Sequence, residues 1–259
     1  MTQSIHPAAK NGFSAGAERY QQTRPNYPPE IVQWLKHHLL LTEQAHCVDL
    51  GAGTGKFLAS LQQVTSQITA VEPVSEMIGQ LKTVYPEIAC IQATSTDIPL
   101  NSNSIDAVVC AQSFHWFADS ASLAEIHRIL KPQGQLALIW NQRDVQVDWV
   151  KALADFIADY EQDTPRFHSQ QWQQVFDHQT LFGPAQLSQF SHIQRGTVEQ
   201  VVSQRLLSTS FIAAMSSAEQ QHMKQKFEQI VMDYTSLQAH DQIDFPYITY
   251  AYQFEKLSV

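Results

Sequence analysis

The 259-residue sequence has no long hydrophobic run. No stretch approaches the roughly 18 unbroken apolar residues that a membrane helix needs. The first twenty residues also lack the apolar core of a secretory signal. We therefore expect no membrane partner and a cytoplasmic location. Hydrophobic residues make up 44% of the chain and charged residues 16%, a balance that is typical of a folded globular protein.

Cysteine is scarce as well. Cys47, Cys90 and Cys110 each lie within or beside an apolar run. Three cysteines without CxxC spacing argue against a disulfide framework and against a zinc site. The histidines show neither H-E-x-x-H nor H-x-x-E-H spacing. We expect free, buried thiols and no metal.

Basic residues are outnumbered. Sixteen Lys and Arg stand against 25 Asp and Glu, which gives a formal net charge of -9. Residues 144–177 contain seven acidic residues, opposed only by Lys151 and Arg166. We interpret this stretch as a solvated helix face. Because such a surface repels phosphate backbones, the sequence predicts no nucleic-acid partner.

The middle of the chain alternates short β-branched runs with helical patterns. The predicted strands are residues 46–50, 67–72, 88–93, 105–111 and 135–141. A helix over residues 120–130 should stop at the sequence KPQG, where Pro and Gly disfavour its continuation. Near-continuous apolar strands that alternate with helices predict an α/β fold, in which a doubly wound parallel sheet is covered on both faces.

The flanking segments add helices and two further strands. Tyr27-Pro28-Pro29 should open a helix. After Arg143 the pattern indicates a helix, a strand, two helices that begin with capping boxes, and a last strand. These segments are residues 148–160, 187–195, those opened by Thr197 and Ser216, and 247–254. The sheet should therefore have seven strands and be mostly parallel.

Glycines at positions 51, 53 and 55 follow the first predicted strand. A P-loop needs G-x-x-x-x-G-K-[ST], and here Leu50 and Phe57 occupy two of its required positions. A dinucleotide fingerprint needs a third glycine where Lys56 stands. The turn still offers close backbone approach and free amides to a ligand.

Glu72 ends the second predicted strand, twenty-one residues after Gly51. In an alternating fold this position lies beside the glycine turn, at the carboxyl edge of the sheet where ligands bind. A carboxylate there can accept two hydrogen bonds from a ribose diol. We predict this role for Glu72.

Three ordered stretches resemble successive motifs of class I S-adenosylmethionine-dependent methyltransferases: VDLGAGTG from residue 48, AVEP from residue 70 and LKPQG from residue 130. The stretches RPNYP from residue 24 and QSFHWF from residue 112 are similar to a small-molecule branch that includes trans-aconitate methyltransferases. The resemblance covers residues 13–142. It implies a Rossmann-like fold, S-adenosylmethionine as cofactor and a small-molecule methyl acceptor.

The resemblance also implies the organisation of a single domain over residues 1–259. Its segments would be an N-terminal helical cap, a cofactor-binding core, a helical insertion after strand five, and C-terminal strands and helices. They span residues 1–43, 44–142, 143–183 and 184–259, respectively. No prediction of oligomeric state follows.

Residue roles follow from the same resemblance. Cofactor contacts are expected with the methionine part from Gly51, Ala52 and Gly53, with its amino group from Asp49, with the ribose from Glu72, and with the adenine from Pro73, Met77, Ser95 and Thr96. Further cofactor contacts are expected from Gln112, which follows the fourth strand, and from Tyr20 and Arg24 of the N-terminal segment. Tyr20 and Arg24 alternatively meet an anionic substrate or dock a helix, and Met77 alternatively fills the core. Acceptor contacts are expected from Ser113, His115, Trp116, Asn141 and Arg143.

His115 is the candidate catalytic residue. We expect it to act as a general base or as a hydrogen-bond donor that orients the acceptor. The alternative is that His115 only holds its loop in place through hydrogen bonds. Two rival functions remain open at this point. One is a non-catalytic S-adenosylmethionine-binding sensor or assembly protein, and the other is a nicotinamide oxidoreductase, which Lys56 disfavours.

Overall fold

The computed structural model describes residues 23–161 and 164–258. The chain divides into two compact units. The core unit comprises Tyr27–Trp140, Pro165–Phe190 and Thr249–Val259, and the helical unit comprises Met1–Asn26, Asn141–Thr164 and Ser191–Ile248. The single-domain organisation with its four segments stays a prediction.

The core unit opens with alternating helices and strands. In chain order these are α1 (Glu30–His38), β1 (His46–Leu50), α2 (Leu58–Leu61), β2 (Gln67–Val71), α3 (Ser75–Val84), β3 (Ala89–Ile91), β4 (Ile105–Ala111), a 3-10 turn (Phe114–Trp116) and α4 (Ser120–Ile129). Strands β1 to β4 pair in parallel, with β1 between β2 and β4. Their carboxyl ends therefore meet at one edge.

Three longer strands complete the sheet. They are β5 (Leu130–Arg143), β6 (Gln186–Thr197) and β7 (Gln242–Glu255), and a 3-10 segment (Gln171–Phe176) precedes β6. The strand order is β3-β2-β1-β4-β5-β7-β6. The seven-stranded, mostly parallel sheet predicted from the sequence is confirmed.

Several predicted boundaries are corrected. Strand β2 ends at Val71, one residue before Glu72, and β3 is limited to Ala89–Ile91. Strand β5 starts at Leu130, directly after α4, because the KPQG segment forms an irregularity between paired residues instead of a separate loop. Strand β7 begins at Gln242. There, buried residues alternate with exposed or partly buried ones from Gln242 onwards, and Pro246 lies within this pattern.

Two hydrophobic clusters fill the core unit. One contains α1, α2 and the side chains of β1 that face them, including Ile31, Leu35 and Leu58. The other surrounds Phe114 and Trp140. These apolar layers on the sheet fix the strand ends from which the polar loops emerge.

The helical unit contains α5 (Asp148–Ala158), a π-helical segment (Val198–Gln204), α6 (Arg205–Leu207), α7 (Ser210–Ala213) and α8 (Ser217–Thr235). Both predicted capping boxes are present, at Thr197 and at Ser216. A third hydrophobic cluster joins α5 and α8 to residues of β7. The capping box at Thr197 opens the π-helical segment and not the regular α-helix that the sequence predicted.

The cysteines are free. Cys47 and Cys110 are buried as predicted, whereas Cys90 in the short strand β3 is partly exposed. Among the described residues, no helix has both the length and the apolar content to cross a membrane.

Candidate active site

The glycine turn lies between β1 and α2, at the carboxyl edge of the parallel strands. Gly51, Gly53 and Gly55 have φ angles of 72°, 56° and 83°. Residues with a Cβ adopt this left-handed region only at a cost, which accounts for three alternate glycines. The N–H groups of Gly51 and Ala52 donate to the carbonyl of Val71 at 2.8 and 3.2 Å. The turn is therefore held against the end of β2.

The space beside the three glycines differs. A Cβ on Gly51 would lie 2.6 Å from Cβ of Ser113, and one on Gly55 would lie 2.9 Å from Cδ1 of Leu58. A Cβ on Gly53 would meet no atom within 4 Å in the part of the chain that the structure describes. Gly51 and Gly55 thus permit close packing, whereas Gly53 borders open space that a ligand can fill.

Glu72 reaches from the end of β2 back to the glycine turn. Its Oε2 accepts from the N–H of Gly53 at 2.9 Å, and its Oε1 accepts from the N–H of Val74 at 3.0 Å. The residue is only 7% exposed. Burial raises the pKa of Glu72, while the two backbone N–H groups oppose the rise. Each oxygen keeps a second acceptor position, as a ribose diol requires.

Asp49 is a buried carboxyl group inside β1. It is 1% exposed, and neither carboxyl oxygen has a hydrogen-bond partner among the described residues. Burial and the nearby charge of Glu72 raise its pKa to about 8. Two carboxyl groups that share a buried site favour a cationic or hydrogen-bond-donating ligand.

The loop after β4 turns sharply. Gln112 has a φ of 61°, a strained value for a residue with a Cβ, and its N–H donates to the carbonyl of Ile139 at 2.8 Å. The buried hydroxyl of Ser113 donates to the carbonyl of Leu50 at 2.7 Å. Ser113 therefore ties this loop to the end of β1, and its oxygen can still accept a hydrogen bond from a ligand.

His115 is positioned by a tryptophan of β5. Nε1 of Trp140 donates to Nδ1 of His115 at 3.1 Å, and the rings of His115 and Trp116 lie 5.1 Å apart between centroids. Indole is only a donor, so Nδ1 must be the acceptor. A neutral imidazole in this contact carries its proton on Nε2. That arrangement suits a hydrogen-bond donor, and a base role at Nδ1 requires breaking the contact with Trp140.

The residues expected near adenine lie after β2 and β3. Pro73 is partly exposed, and Met77 is buried on α3 but belongs to none of the three hydrophobic clusters of buried residues. Ser95 is buried with its hydroxyl 2.8 Å from that of Ser122. The hydroxyl of Thr96 lies 3.3 Å from that of Thr94. The adenine roles stay predictions.

Three further predicted residues, Arg24, Asn141 and Arg143, belong to the helical unit. Asn141 is buried, and its Nδ2 donates to the carbonyl of Asn26 at 3.1 Å. Arg24 donates from Nη2 to the carbonyl of Ser208 at 3.3 Å, which fits the helix-docking alternative. Arg143 ends β5. Tyr20 lies outside the described residues.

The sequence analysis missed two residues that accompany Arg143. Arg205, at the start of α6, and Tyr247, in β7, are both buried and belong to the same unit as Arg143. The guanidinium group of Arg205 lowers the pKa of Arg143, after the larger effect of burial. No motif signals such a cluster, because its members come from separate elements.

The fold and the site define an α/β protein that binds a nucleotide-like cofactor between a glycine turn and an acidic residue. A family model described as a methyltransferase domain matches residues 48–138. An uncharacterized methyltransferase-like protein of Schizosaccharomyces pombe is 34% identical over 245 residues, 94% of this chain and 95% of the relative. The chain belongs to the class I S-adenosylmethionine-dependent methyltransferases.

Solved structures agree on the fold. A protein of Anaeromyxobacter dehalogenans, described as a candidate type II methyltransferase, is 18% identical with a TM-score of 0.63, covering 90% of this chain and 97% of its own. Phosphoethanolamine N-methyltransferase 2 of Haemonchus contortus, solved with phosphomonomethylethanolamine and S-adenosylhomocysteine, is 14% identical with a TM-score of 0.57. That match covers 99% of this chain and 61% of the other.

The core unit fits S-adenosylmethionine on its own geometry. The space beside Gly53 admits a ligand, and Glu72 retains acceptor positions for a diol. The unpartnered Asp49 offers a carboxyl group to the cofactor's amino group. The protein is an enzyme that uses S-adenosylmethionine, which sets aside the nicotinamide alternative.

Proposed function

We propose that this methyltransferase acts on a small molecule, with Asp49, the glycine turn and Glu72 holding the cofactor. The observation that supports a small acceptor most is burial. Ser113 and Asn141, two of the residues assigned to the acceptor, are each 6% exposed. A side chain so deeply buried is reached by a group that enters the protein, and not by the surface of a macromolecule. The similarity of QSFHWF to trans-aconitate methyltransferases supports the same class.

Bound S-adenosylmethionine supplies an electrophilic methyl group on a positively charged sulfur. The protein's contribution is to orient the acceptor in line with this group and to exclude water. We infer that Glu72 and the amides of the glycine turn hold the cofactor through hydrogen bonds. The aromatic faces of Trp116 and Phe117 supply electron-rich surfaces that suit a cation.

His115 has a defined part in this proposal. With Nδ1 occupied by Trp140, its Nε2–H donates a hydrogen bond to the acceptor and orients the attacking atom. An acceptor that is already ionised at neutral pH needs no base. The contact with Trp140 therefore favours the donor alternative for His115 over the base.

The cofactor assignment predicts a selective loss of affinity in Glu72→Gln. The amide cannot accept from Gly53 and from Val74 while also serving both ribose hydroxyls. Affinity for S-adenosylhomocysteine should fall roughly ten- to a hundredfold, the effect of losing about 1.5–3 kcal/mol of charge-assisted bonding. Calorimetry measures it. Glu87→Gln is the matched control, since Glu87 is exposed. Unchanged affinity in a folded Glu72→Gln protein would contradict the assignment.

The acceptor class is tested by label transfer. Purified enzyme is incubated with S-adenosylmethionine labelled in the methyl group and a cell extract separated by filtration into small molecules and macromolecules. We expect the label in the small-molecule fraction, reduced in the Glu72→Gln variant. Label confined to protein or nucleic acid would refute the small-molecule acceptor. Binding of S-adenosylhomocysteine with no transfer to either fraction would point to the sensor alternative.

A further inference from the structure

Arg143 and Arg205 lie in the same part of the helical unit. The N–H of Asp144 donates to the carbonyl of Pro246 at 3.0 Å, which places Arg143 beside the strand that carries Tyr247, and Leu206 and Leu207 share a hydrophobic cluster with Tyr247. Arg143 ends β5 and Arg205 begins α6, and the charge of Arg205 affects the pKa of Arg143. Burial, followed by the charge of Arg205, lowers the pKa of Arg143 to about 10. Two neighbouring guanidinium groups with little access to water repel each other. Such a pair becomes favourable when an anion lies between them.

The described part of the protein supplies no such anion in an ion pair with either arginine. Within residues 23–161 and 164–258, neither Arg143 nor Arg205 has an ion pair, and the buried Nε of Arg205 has no hydrogen bond. Arg205 is only 8% exposed. Among the described residues, the carboxylate that affects the ionisation of Arg143 is Glu161, and its effect on the pKa is smaller than the opposing effect of Arg205. The charge of the pair is therefore not neutralised.

A third unpartnered polar group accompanies the arginines. Tyr247 is 1% exposed, and its hydroxyl has no hydrogen-bond partner among the described residues. The phenol is near enough to Arg143 to influence its ionisation. Its ring packs against Phe245, with centroids 4.9 Å apart, so the hydroxyl is held in place. The cluster thus presents hydrogen-bond donors without acceptors.

We propose that Arg143, Arg205 and Tyr247 form a binding site for an oxyanion, a carboxylate or phosphate group. Guanidinium groups bind the oxygens of both anions through paired N–H donors, and the phenol adds another donor. Arg143 keeps part of its surface accessible, which gives a ligand access to the cluster. The anion site stands on these residues of the helical unit alone.

The test uses the full chain without cofactor. Thermal unfolding and calorimetry are followed with citrate, with inorganic phosphate, and with sodium chloride at matched ionic strength. We expect citrate or phosphate to raise Tm above the chloride control. Arg205→Met should weaken this binding roughly ten- to a hundredfold and raise Tm of the free protein, because it removes an unpaired buried charge. Arg195→Gln is the control, since Arg195 is 76% exposed and paired with Asp244.

The comparison of citrate, phosphate and chloride distinguishes the kinds of anion that the site binds. Stabilisation by citrate alone indicates a carboxylate ligand, by phosphate alone a phosphate ligand, and by both a general oxyanion site. Binding that is equal in Arg205→Met and wild type, or no stabilisation beyond chloride, would overturn the proposal. If Arg205→Met does not fold, the half-buried Arg143→Gln takes its place. Binding of S-adenosylhomocysteine is measured separately, so failure of the cofactor assignment is distinguishable.

Discussion

Asp49 couples the cofactor site to folding through its ionisation. Its pKa rises from an ordinary value of 3.8 to about 8, chiefly because burial disfavours the charge. Between these values the folded protein binds a proton that the unfolded chain has released. The free energy of unfolding contributed by Asp49 is therefore fully retained below about pH 4 and falls as pH rises towards 8.

Replacing this carboxyl group tests the coupling. Asp49→Asn stays neutral, so its unfolding free energy should lack the fall between pH 5 and 8. At pH 8 it should exceed that of wild type by up to a few kcal/mol, with little difference near pH 4. Chemical denaturation across this pH range measures the difference. Glu87→Gln, at an exposed site, should run parallel to wild type. Parallel curves for Asp49→Asn and wild type would show that Asp49 ionises normally.

Other residues show the limits of inference from sequence. Gly53 and Glu72 could be identified from the sequence because the glycine turn and the end of the next strand follow each other at a recognisable distance along the chain. The hydrogen bond between Trp140 and His115 and the interaction between Arg143 and Arg205 could not be identified in this way, because each joins elements that are far apart in the sequence. Ser113 was predicted from its motif as an acceptor contact, but its bond to Leu50 is visible only in three dimensions.

At the level of elements, continuous apolar strands were the easiest to predict. The bounds of β1 and β4 agree with the sequence to the residue, and each strand ends where its apolar run meets a glycine or a polar residue, Gly51 or Gln112. Strands β5 and β7 start earlier than predicted, and each contains a proline, Pro132 or Pro246, within its added residues. A capping box fixes where a helix begins but not its hydrogen-bond register. Thr197 shows this by opening a π-helical segment.

At the scale of the whole molecule, many basic side chains form ion pairs with neighbouring acidic ones. Lysines and arginines on several elements are held by neighbouring acids: Arg128 by Glu125, Lys131 by Asp106, Lys151 by Asp155, Arg195 by Asp244 and Lys224 by Glu199. The chain as a whole still carries a formal charge of -9. A basic side chain that is paired with a carboxylate attracts a phosphate backbone far less than a free one.

The paired basic residues and the negative net charge together predict that nucleic acid is not a partner. Binding of a labelled DNA duplex or single strand, followed by fluorescence anisotropy at about 0.15 M salt, should show no saturable signal. A small anion at Arg143 and Arg205 is compatible with this result. Arg205 is buried and Arg143 is only partly exposed, whereas a duplex requires a stripe of exposed cations. Saturable binding that weakens linearly with the logarithm of salt concentration would contradict the prediction, because that dependence reports counterions released from a phosphate backbone by basic side chains.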